Sequence, residues 1–176
     1  MRDDCTDPIN ISNMLLFLKN FAFSVIVPGT VAFYIPISMA AGRFGFVAAP
    51  PSWTRLVGVV PILSGLVIYL WCVWCFARSG RGTPAPIDEP KKLIVLGPYR
   101  YARNPMYMSV LLVIIGWAVF FYSLRVLSYG FCVGLVFHLF VVIYEEPHLR
   151  RRFGESYEHY CRAVRRWIPG RGYNSP

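Results

Sequence analysis

Four long apolar segments dominate the chain, and short polar or glycine- and proline-rich connections separate them. They cover residues 21–41, 54–77, 105–122 and 126–144. A helix needs about 20 mainly apolar residues to cross the hydrocarbon core of a bilayer. The first two segments carry interior prolines, so we expect kinked helices there. The pattern predicts an all-α integral membrane protein with about four transmembrane helices, in a single membrane domain over residues 1–176.

A further helix is predicted after the last apolar segment. Between His148 and Val164, apolar and aromatic side chains recur at spacings of three and four, and the opposite face carries arginine and glutamate. A basic amphipathic helix beside a membrane usually lies in the headgroup layer. We therefore expect residues 145–176 to form a C-terminal interfacial segment that contacts anionic lipid headgroups.

The composition agrees with a lipid environment. Hydrophobic residues make up 56% of the 176 residues and charged residues only 15%, below the roughly 25% of soluble domains. The net charge is +9, but the basic residues lie between and after the apolar segments. Anionic lipid, and not nucleic acid, is therefore the expected partner. The first ten residues are acidic and polar, so no cleavable signal peptide is expected.

The basic residues also predict an orientation. Residues 78–103 hold six lysines and arginines and the tail after Glu146 holds seven, against three in the connections on the other side. The positive-inside rule then predicts that both termini and the 78–104 loop are cytoplasmic. Cys72 and Cys75 form a C-x-x-C within an apolar segment. Since no further Cys or His cluster accompanies them, we expect packed small residues and no metal site.

Polar side chains cluster where the third and fourth segments meet the cytoplasm. The sequence GPYRYARNPMY, residues 97–107, leads into the third segment, and its Asn-Pro pair has the residue types of a helix N-cap and first position. Glu145 and Glu146 end the fourth segment. A tight turn at residues 123–125 makes the two segments a hairpin, so both clusters come to the same end. His138 precedes Glu145 by seven residues, about two helical turns, and can face the same side.

Each cluster also has a purely structural interpretation. Tyrosine and arginine are ordinary membrane anchors, and the two glutamates can be solvated or paired with Arg103 and Arg150. A non-enzymatic membrane scaffold would keep the same fold. A small transporter is a weaker alternative, because no charged residue lies midway through a segment. The convergence of three polar segments on one membrane boundary favours a binding pocket.

The two clusters resemble a known superfamily. GPYRYARNPMY resembles the G-x-Y-x-x-x-R-H-P-x-Y signature of the isoprenylcysteine carboxyl methyltransferase and phospholipid N-methyltransferase superfamily of membrane enzymes. EEPHLRRRFGESYEHYCRAVRRWIP, residues 145–169, resembles its E-E-x-x-L…F-G-x-x-Y-x-x-Y…R-x-x-P signature. The resemblance covers residues 80–169. It implies a membrane-embedded methyltransferase that uses S-adenosyl-L-methionine and a lipophilic acceptor.

The resemblance also implies the residues of the site, with the 78–104 loop wrapped around the cofactor. The cofactor-binding residues it implies are Tyr99, Tyr101, Asn104, Pro105, Tyr107, Glu145, Glu146 and Leu149. Arg103 and Arg166 are implied as the catalytic residues that hold the reacting group. The superfamily usually has His where this chain has Asn104. An asparagine can cap a helix and bind a cofactor, but it cannot take up a proton, so no general base is expected there.

The acceptor stays open between a prenylcysteine-like carboxylate, a lipid amine, and a thiol or hydrophobic metabolite. A carboxylate acceptor needs no base but needs a cationic holder such as Arg103 or Arg166. A lipid amine is protonated at neutral pH and must first lose a proton. The abundance of arginine, with no histidine in the motif, favours an anionic or thiol acceptor.

Overall fold

A computed structural model describes residues 26–40, 52–78 and 95–173. Over these residues the chain is helical, and its only strand-like pairing is an isolated parallel bridge between Ala102 and Arg165. The prediction of an all-α protein is confirmed. The ends of the first predicted span and most of the 78–104 loop lie outside the described residues, as do the N-terminal segment and residues 42–51 of the first predicted connection.

Six helices make up the described part of the chain. In order they are α1 (Ile26–Ala40), α2 (Ser52–Arg78), α3 (Pro105–Phe120), α4 (Leu124–Phe140), α5 (Glu146–Phe153) and α6 (Glu155–Ala163). A 3₁₀ turn, Gly97–Arg100, precedes α3, and π-helical turns occupy Thr30–Tyr34 within α1 and Val141–Glu145 between α4 and α5.

Within the described ranges, two helical stretches are long and apolar enough to cross a membrane. They are Ser52–Cys75 and Leu124–Phe153, each with a mean hydropathy of 2.3, while α1 and α3 are shorter apolar helices. Their outer faces carry large apolar side chains, and Leu56, Leu124 and Phe131 are each at least 75% exposed. Such faces suit contact with lipid tails and not with water.

Helix α2 packs closely against α3 through glycines. A Cβ atom on Gly58 would lie 2.6 Å from the backbone nitrogen of Phe120, and one on Gly65 would lie 2.6 Å from the carbonyl oxygen of Ser109. Small residues of this kind let membrane helices approach backbone to backbone. Cys72 and Cys75 are free thiols buried further along α2, as expected for packed small residues.

The hairpin of α3 and α4 forms as expected, with small shifts at its turn. Helix α3 ends at Phe120, two residues before the predicted end, and Tyr122 then adopts a left-handed conformation with φ of 50°. Ser123 caps α4, which begins at Leu124, by accepting a hydrogen bond from the backbone N–H of Val126. The turn therefore covers residues 121–123, two residues earlier than the predicted 123–125.

The fourth apolar helix does not end at residue 144 as predicted. Helix α4 continues through the π turn Val141–Glu145 directly into α5. The wide turn lies just before Pro147, whose ring lacks an N–H and clashes with the carbonyl four residues earlier in a regular α-helix. The proline is accommodated in this way and does not terminate the helix.

The single amphipathic helix predicted for residues 148–164 is in fact two helices. They are separated at Gly154, whose φ of +52° favours glycine. The break lets α6 turn back, so that Tyr157 and Tyr160 are buried in a small core with Val164 and the partly buried Leu149. The amphipathic character was predicted correctly, but the continuity was wrong.

Candidate functional site

Asn104 is the N-cap residue of α3, the position that the sequence predicts for it. Its side chain makes no cap hydrogen bond and is almost fully buried, and Pro105 follows as the first helical residue. The amide Nδ2 donates instead to the carbonyl oxygen of Arg166, at 3.3 Å. The predicted N-cap position is therefore confirmed, but its side chain makes no cap hydrogen bond because the amide binds the returning C-terminal segment.

Tyr107 connects the two helices of the hairpin. Its hydroxyl donates to Oε2 of Glu145 at 2.9 Å, and its ring packs against Phe137 with centroids 4.8 Å apart. This contact joins the motif at the start of α3 to the motif at the end of α4. Among the described residues no arginine, lysine or histidine forms an ion pair with Glu145. Its carboxylate therefore has one hydrogen bond from a neutral phenol and no cation beside it.

Glu146 has the opposite environment. It accepts two hydrogen bonds from Arg166, Nε at 2.7 Å and Nη2 at 2.9 Å, and its Oε1 lies 3.1 Å from Nη1 of Arg103. Fork-like arginine–carboxylate contacts of this kind are the strong ones. The hydrogen bonds with Glu146 raise the pKa of Arg166, so this guanidinium stays charged. Glu146 is thus neutralised by two cations, while no cation of the described residues pairs with Glu145 beside it in sequence.

The segment after α6 returns and lies along residues 99–104. Three backbone hydrogen bonds join them, from Arg103 to Arg165, from Gly170 to Tyr101 and from Tyr173 to Arg100. The hydroxyl of Tyr160 donates to the carbonyl oxygen of Tyr99 at 2.6 Å. Burial raises the pKa of this phenol, which therefore remains a neutral donor. The C-terminal segment closes one side of the site.

His138 also contacts this segment. Its Nδ1 accepts a hydrogen bond from Nε1 of Trp167 at 3.1 Å. His138, which the sequence suggests could face the same side as Glu145, therefore contacts Trp167 of the C-terminal segment. Glu145 contacts Tyr107.

Three further site residues implied by the resemblance also have neighbours outside the group around Glu145 and Glu146. Tyr99 lies beside the thiol of Cys72. Tyr101 is 45% exposed and packs near Gly172, and Leu149 belongs to the core around α6. The residues that contacts bring together are Arg103, Asn104, Tyr107, Glu145, Glu146 and Arg166, and Pro105 follows Asn104 as the first residue of α3.

The sequence did not lead us to predict two residues that lie near the site, Cys161 and Gly97. Cys161 accepts a hydrogen bond from Nη1 of Arg103 at 2.8 Å, and only its place on the apolar face of α6 could have indicated it. Gly97 has a φ of +54°, and a Cβ atom there would lie 2.6 Å from the sulfur of Cys75. Its signal was a glycine directly before a proline, which is typical of a turn. This close approach holds the 3₁₀ turn against α2.

A family model for phospholipid methyltransferases matches residues 53–156, more than half of the chain. The chain belongs to the phospholipid methyltransferase family. The matched range includes Asn104, Tyr107 and both glutamates and ends before Arg166. A protein of Haemophilus influenzae (strain KW20 / Rd), described as uncharacterized, is 36% identical over 63 residues, which are 36% of this chain and 100% of that protein. No solved structure matches the chain.

Membership of this family agrees with the fold. A phospholipid methyltransferase is a membrane-embedded enzyme, and the two long apolar helices supply membrane-crossing elements. The membrane protein expected from the hydrophobic pattern is therefore confirmed.

Proposed function

We propose that this phospholipid methyltransferase family member uses S-adenosyl-L-methionine to methylate the amino group of a membrane lipid. The observation that carries the proposal is the contact between Tyr107 and Glu145, which joins two motifs of the family at the end of the hairpin. The excess of basic residues supports a cytoplasmic location for this end. A cofactor made in the cytoplasm would reach the site directly, while the acceptor would arrive within the membrane.

The residues fit a positively charged cofactor. S-adenosyl-L-methionine supplies a methyl group on a cationic sulfur, which leaves as a neutral thioether and needs no acid. Glu145 offers a partly buried carboxylate that no cation of the described residues neutralises. Tyr107 orients this carboxylate. The residues we propose to line the cofactor site are Tyr99, Tyr101, Asn104, Pro105, Tyr107, Glu145, Glu146 and Leu149.

The ion pairs that Arg103 and Arg166 form with Glu146 change the acceptor that we expect. An anionic acceptor was favoured because Arg103 and Arg166 could hold it, but both contact Glu146. Glu145 in turn attracts a cation, and a lipid ammonium is a cation. In our proposal Glu145 accepts the proton of that ammonium, which frees the nitrogen lone pair for in-line attack. Asn104 cannot perform this step, since an amide does not take up a proton.

In our proposal Arg103 and Arg166 determine the shape of the site. They bind Glu146 and so fasten the C-terminal segment against the start of α3. We propose that this closure excludes water from the reacting groups, which strengthens the electrostatic interactions within the site. In this view the two arginines are positioning residues.

A labelled-methyl assay tests the proposal. The purified full-length protein in lipid nanodiscs would receive methyl-labelled cofactor and a total lipid extract, and the product would be identified by mass. Binding of S-adenosylhomocysteine would be measured separately by calorimetry. We expect binding, an N-methylated lipid, and loss of transfer in Glu145→Gln. Glu155→Gln is the control, because it removes an exposed carboxylate from α6.

The possible results separate the parts of the proposal. No binding of S-adenosylhomocysteine, together with unchanged behaviour of Glu145→Ala, would exclude an enzyme and leave a membrane scaffold. Binding followed by a methyl ester or thioether product would keep the methyltransferase and exclude the amine acceptor. Full transfer activity in Glu145→Gln would remove this residue from the proton-transfer step.

A further inference from the structure

Cys161 lies in a polar pocket of about 320 Å³ beside the ion pair of Arg103 and Glu146. The pocket is lined by Arg103, Arg150, Glu158, Cys161 and Arg162. We propose that Cys161 is a site of reversible modification, where the thiol forms a mixed disulfide with a small anionic disulfide and so loosens the C-terminal closure. The second half of this inference rests on the proposed function, since that closure is given its role in methyl transfer there.

The other cysteines of the described residues are poorly placed for such a reaction. Cys72 and Cys75 are buried on α2, and Cys132 lies within the apolar helix α4. Cys161 is half-buried on α6, next to Arg162, whose side chain is 75% exposed. We therefore expect a water-soluble reagent to reach Cys161 and not the thiols of the membrane-crossing helices.

The sulfur of Cys161 has a cation beside it. It accepts a hydrogen bond from Nη1 of Arg103 at 2.8 Å, and the phenol of Tyr157 lies next to it. The thiolate is the form of cysteine that attacks a disulfide, and a neighbouring arginine stabilises this form. The Nε of Arg103 is buried and has no hydrogen-bond partner among the residues that the structure describes. An anionic group attached to the sulfur would bring acceptor oxygens to this guanidinium.

The charges around the pocket favour an anionic reagent. Three arginines and one glutamate line it, and Arg166 adds a further cation where it shares Glu146 with Arg103. Four cations and two anions leave two positive charges. Glu158 removes little of this excess, because its 3.8 Å pair with Arg162 is exposed on both sides and solvent screens it. Such a surface attracts disulfides that carry carboxylates and repels cationic ones.

The reaction is a thiol–disulfide exchange. The thiolate of Cys161 attacks one sulfur of the small disulfide, a new S–S bond forms, and the other half leaves as a thiolate that takes up the proton lost by Cys161. The protein thiol is oxidised, half of the disulfide is reduced, and an excess of free thiol reverses the step. Cytoplasmic thiols are normally reduced, so at a cytoplasmic end of the hairpin the modification would register oxidising conditions.

Arg103 connects this reaction to the closure of the site. Its Nη1 lies 3.1 Å from Oε1 of Glu146 as well as 2.8 Å from the sulfur of Cys161. A carboxylate attached to that sulfur competes with Glu146 for the guanidinium. Arg166 then holds Glu146 alone, so the C-terminal segment is released more often.

Rates of modification by three small disulfides test the site without any methyl transfer. The probes are dithiodipropionate, which is anionic, cystamine, which is cationic, and the neutral hydroxyethyl disulfide. Each would react with the purified full-length protein in lipid nanodiscs, and the modified cysteine would be identified by peptide mass. The pocket variant is Arg150→Gln/Arg162→Gln. Its matched control is Arg151→Gln/Arg171→Gln, which removes two exposed charges outside the pocket lining.

We expect Cys161 to react at least about tenfold faster with the anionic disulfide than with the cationic one at low ionic strength. The pocket variant should lose most of this preference, and the control variant should keep it. In the modified protein, trypsin should cleave after Arg165 about tenfold faster, as for the loss of one charged hydrogen bond, and dithiothreitol should restore the original rate. Cys161→Ser keeps an acceptor for Arg103 and should show neither the modification at this position nor the faster cleavage.

Several outcomes would overturn the assignment. A rate at Cys161 that does not depend on the charge of the disulfide would exclude selection by the pocket, and an equal loss of preference in the control variant would indicate a general surface attraction. Labelling of Cys161 only after unfolding would show that the thiol is inaccessible. Modification without faster cleavage after Arg165 would refute the link to the closure. None of these results depends on methyl transfer, so failure here leaves the proposed function standing, and a protein without methyl transfer would still give the labelling result.

Discussion

The contrast between Glu145 and Glu146 gives the sharpest prediction. In Glu146→Gln the side chain keeps its size, but Arg103 and Arg166 lose the carboxylate they share. Removing one partner of a buried ion pair costs about 3–5 kcal/mol. The side chain of Arg103 is 12% exposed and that of Arg166 is 30% exposed, so water recovers part of the loss for Arg166. We therefore expect a decrease near the lower limit, about 3 kcal/mol in the free energy of unfolding.

For a chain of this size 1 kcal/mol corresponds to about 2–4 °C in Tm, so Glu146→Gln should lower Tm by about 6–12 °C. Glu145→Gln is the matched control. The new amide oxygen can still accept from Tyr107, so the change in unfolding free energy should stay within about 1 kcal/mol. Both variants would be unfolded thermally in the same detergent. Trypsin cleavage after Arg165 would report separately on release of the C-terminal segment, which should accelerate in Glu146→Gln alone.

Equal Tm values for the two variants, or a larger decrease for Glu145→Gln, would refute this division of roles. A lower Tm without faster cleavage after Arg165 would show that Glu146 stabilises the hairpin and not the C-terminal closure. We expect the effects of the two substitutions on methyl transfer to be the reverse of their effects on Tm. Glu145→Gln should lose methyl transfer while it remains folded, and Glu146→Gln should keep residual transfer below its lowered Tm.

Three further changes test the packing around the site. Gly116→Val should lower Tm by more than about 5 °C, because its Cβ would lie within 3 Å of α2, whereas Gly134→Ala has ordinary contact distances and should change Tm little. Gly97→Ala should lose about 1–3 kcal/mol of stability in the same assay, from its left-handed backbone and its contact with α2. Tyr160→Phe should lose about 1 kcal/mol, because the carbonyl of Tyr99 loses its donor.

Much of the fold was predictable because a bilayer restricts the structures that can cross it. A bilayer favours long apolar runs as helices, and α2, α3 and α4 lie close to the predicted segments. The hydrophobic pattern could not show where a helix continues through polar residues and proline. The sequence Glu145-Glu146-Pro147 has the residue types of a helix end, but a π turn keeps the helix continuous. Gly154 shows the reverse, because one residue with a left-handed backbone divides a continuous amphipathic pattern.

The site was predictable as a set of residue types and not as a set of pairs. Motif spacing placed Tyr107 and Glu145 at one end of the hairpin, and the family resemblance implied that Arg166 joins them. It could not show that Tyr107 binds Glu145 while Arg166 binds Glu146, because adjacent residues on a helix differ only in direction. Nor could it show that Asn104 binds a carbonyl 62 residues later, since this depends on how the tail returns.

The π turn explains how two adjacent glutamates take opposite roles. Neighbouring residues on a helix point about 100° apart, so Glu145 can face Tyr107 while Glu146 faces the arginines. A π turn absorbs one extra residue and rotates every later side chain by about the same angle. If Val141–Glu145 were regular α-helix, Tyr144 would lie about where Glu145 is, and Glu145 would meet Arg103 and Arg166. Both features proposed for the site, a carboxylate beside Tyr107 with no cation among the described residues and a closed C-terminal segment, therefore depend on one irregular turn in the helix Leu124–Phe153.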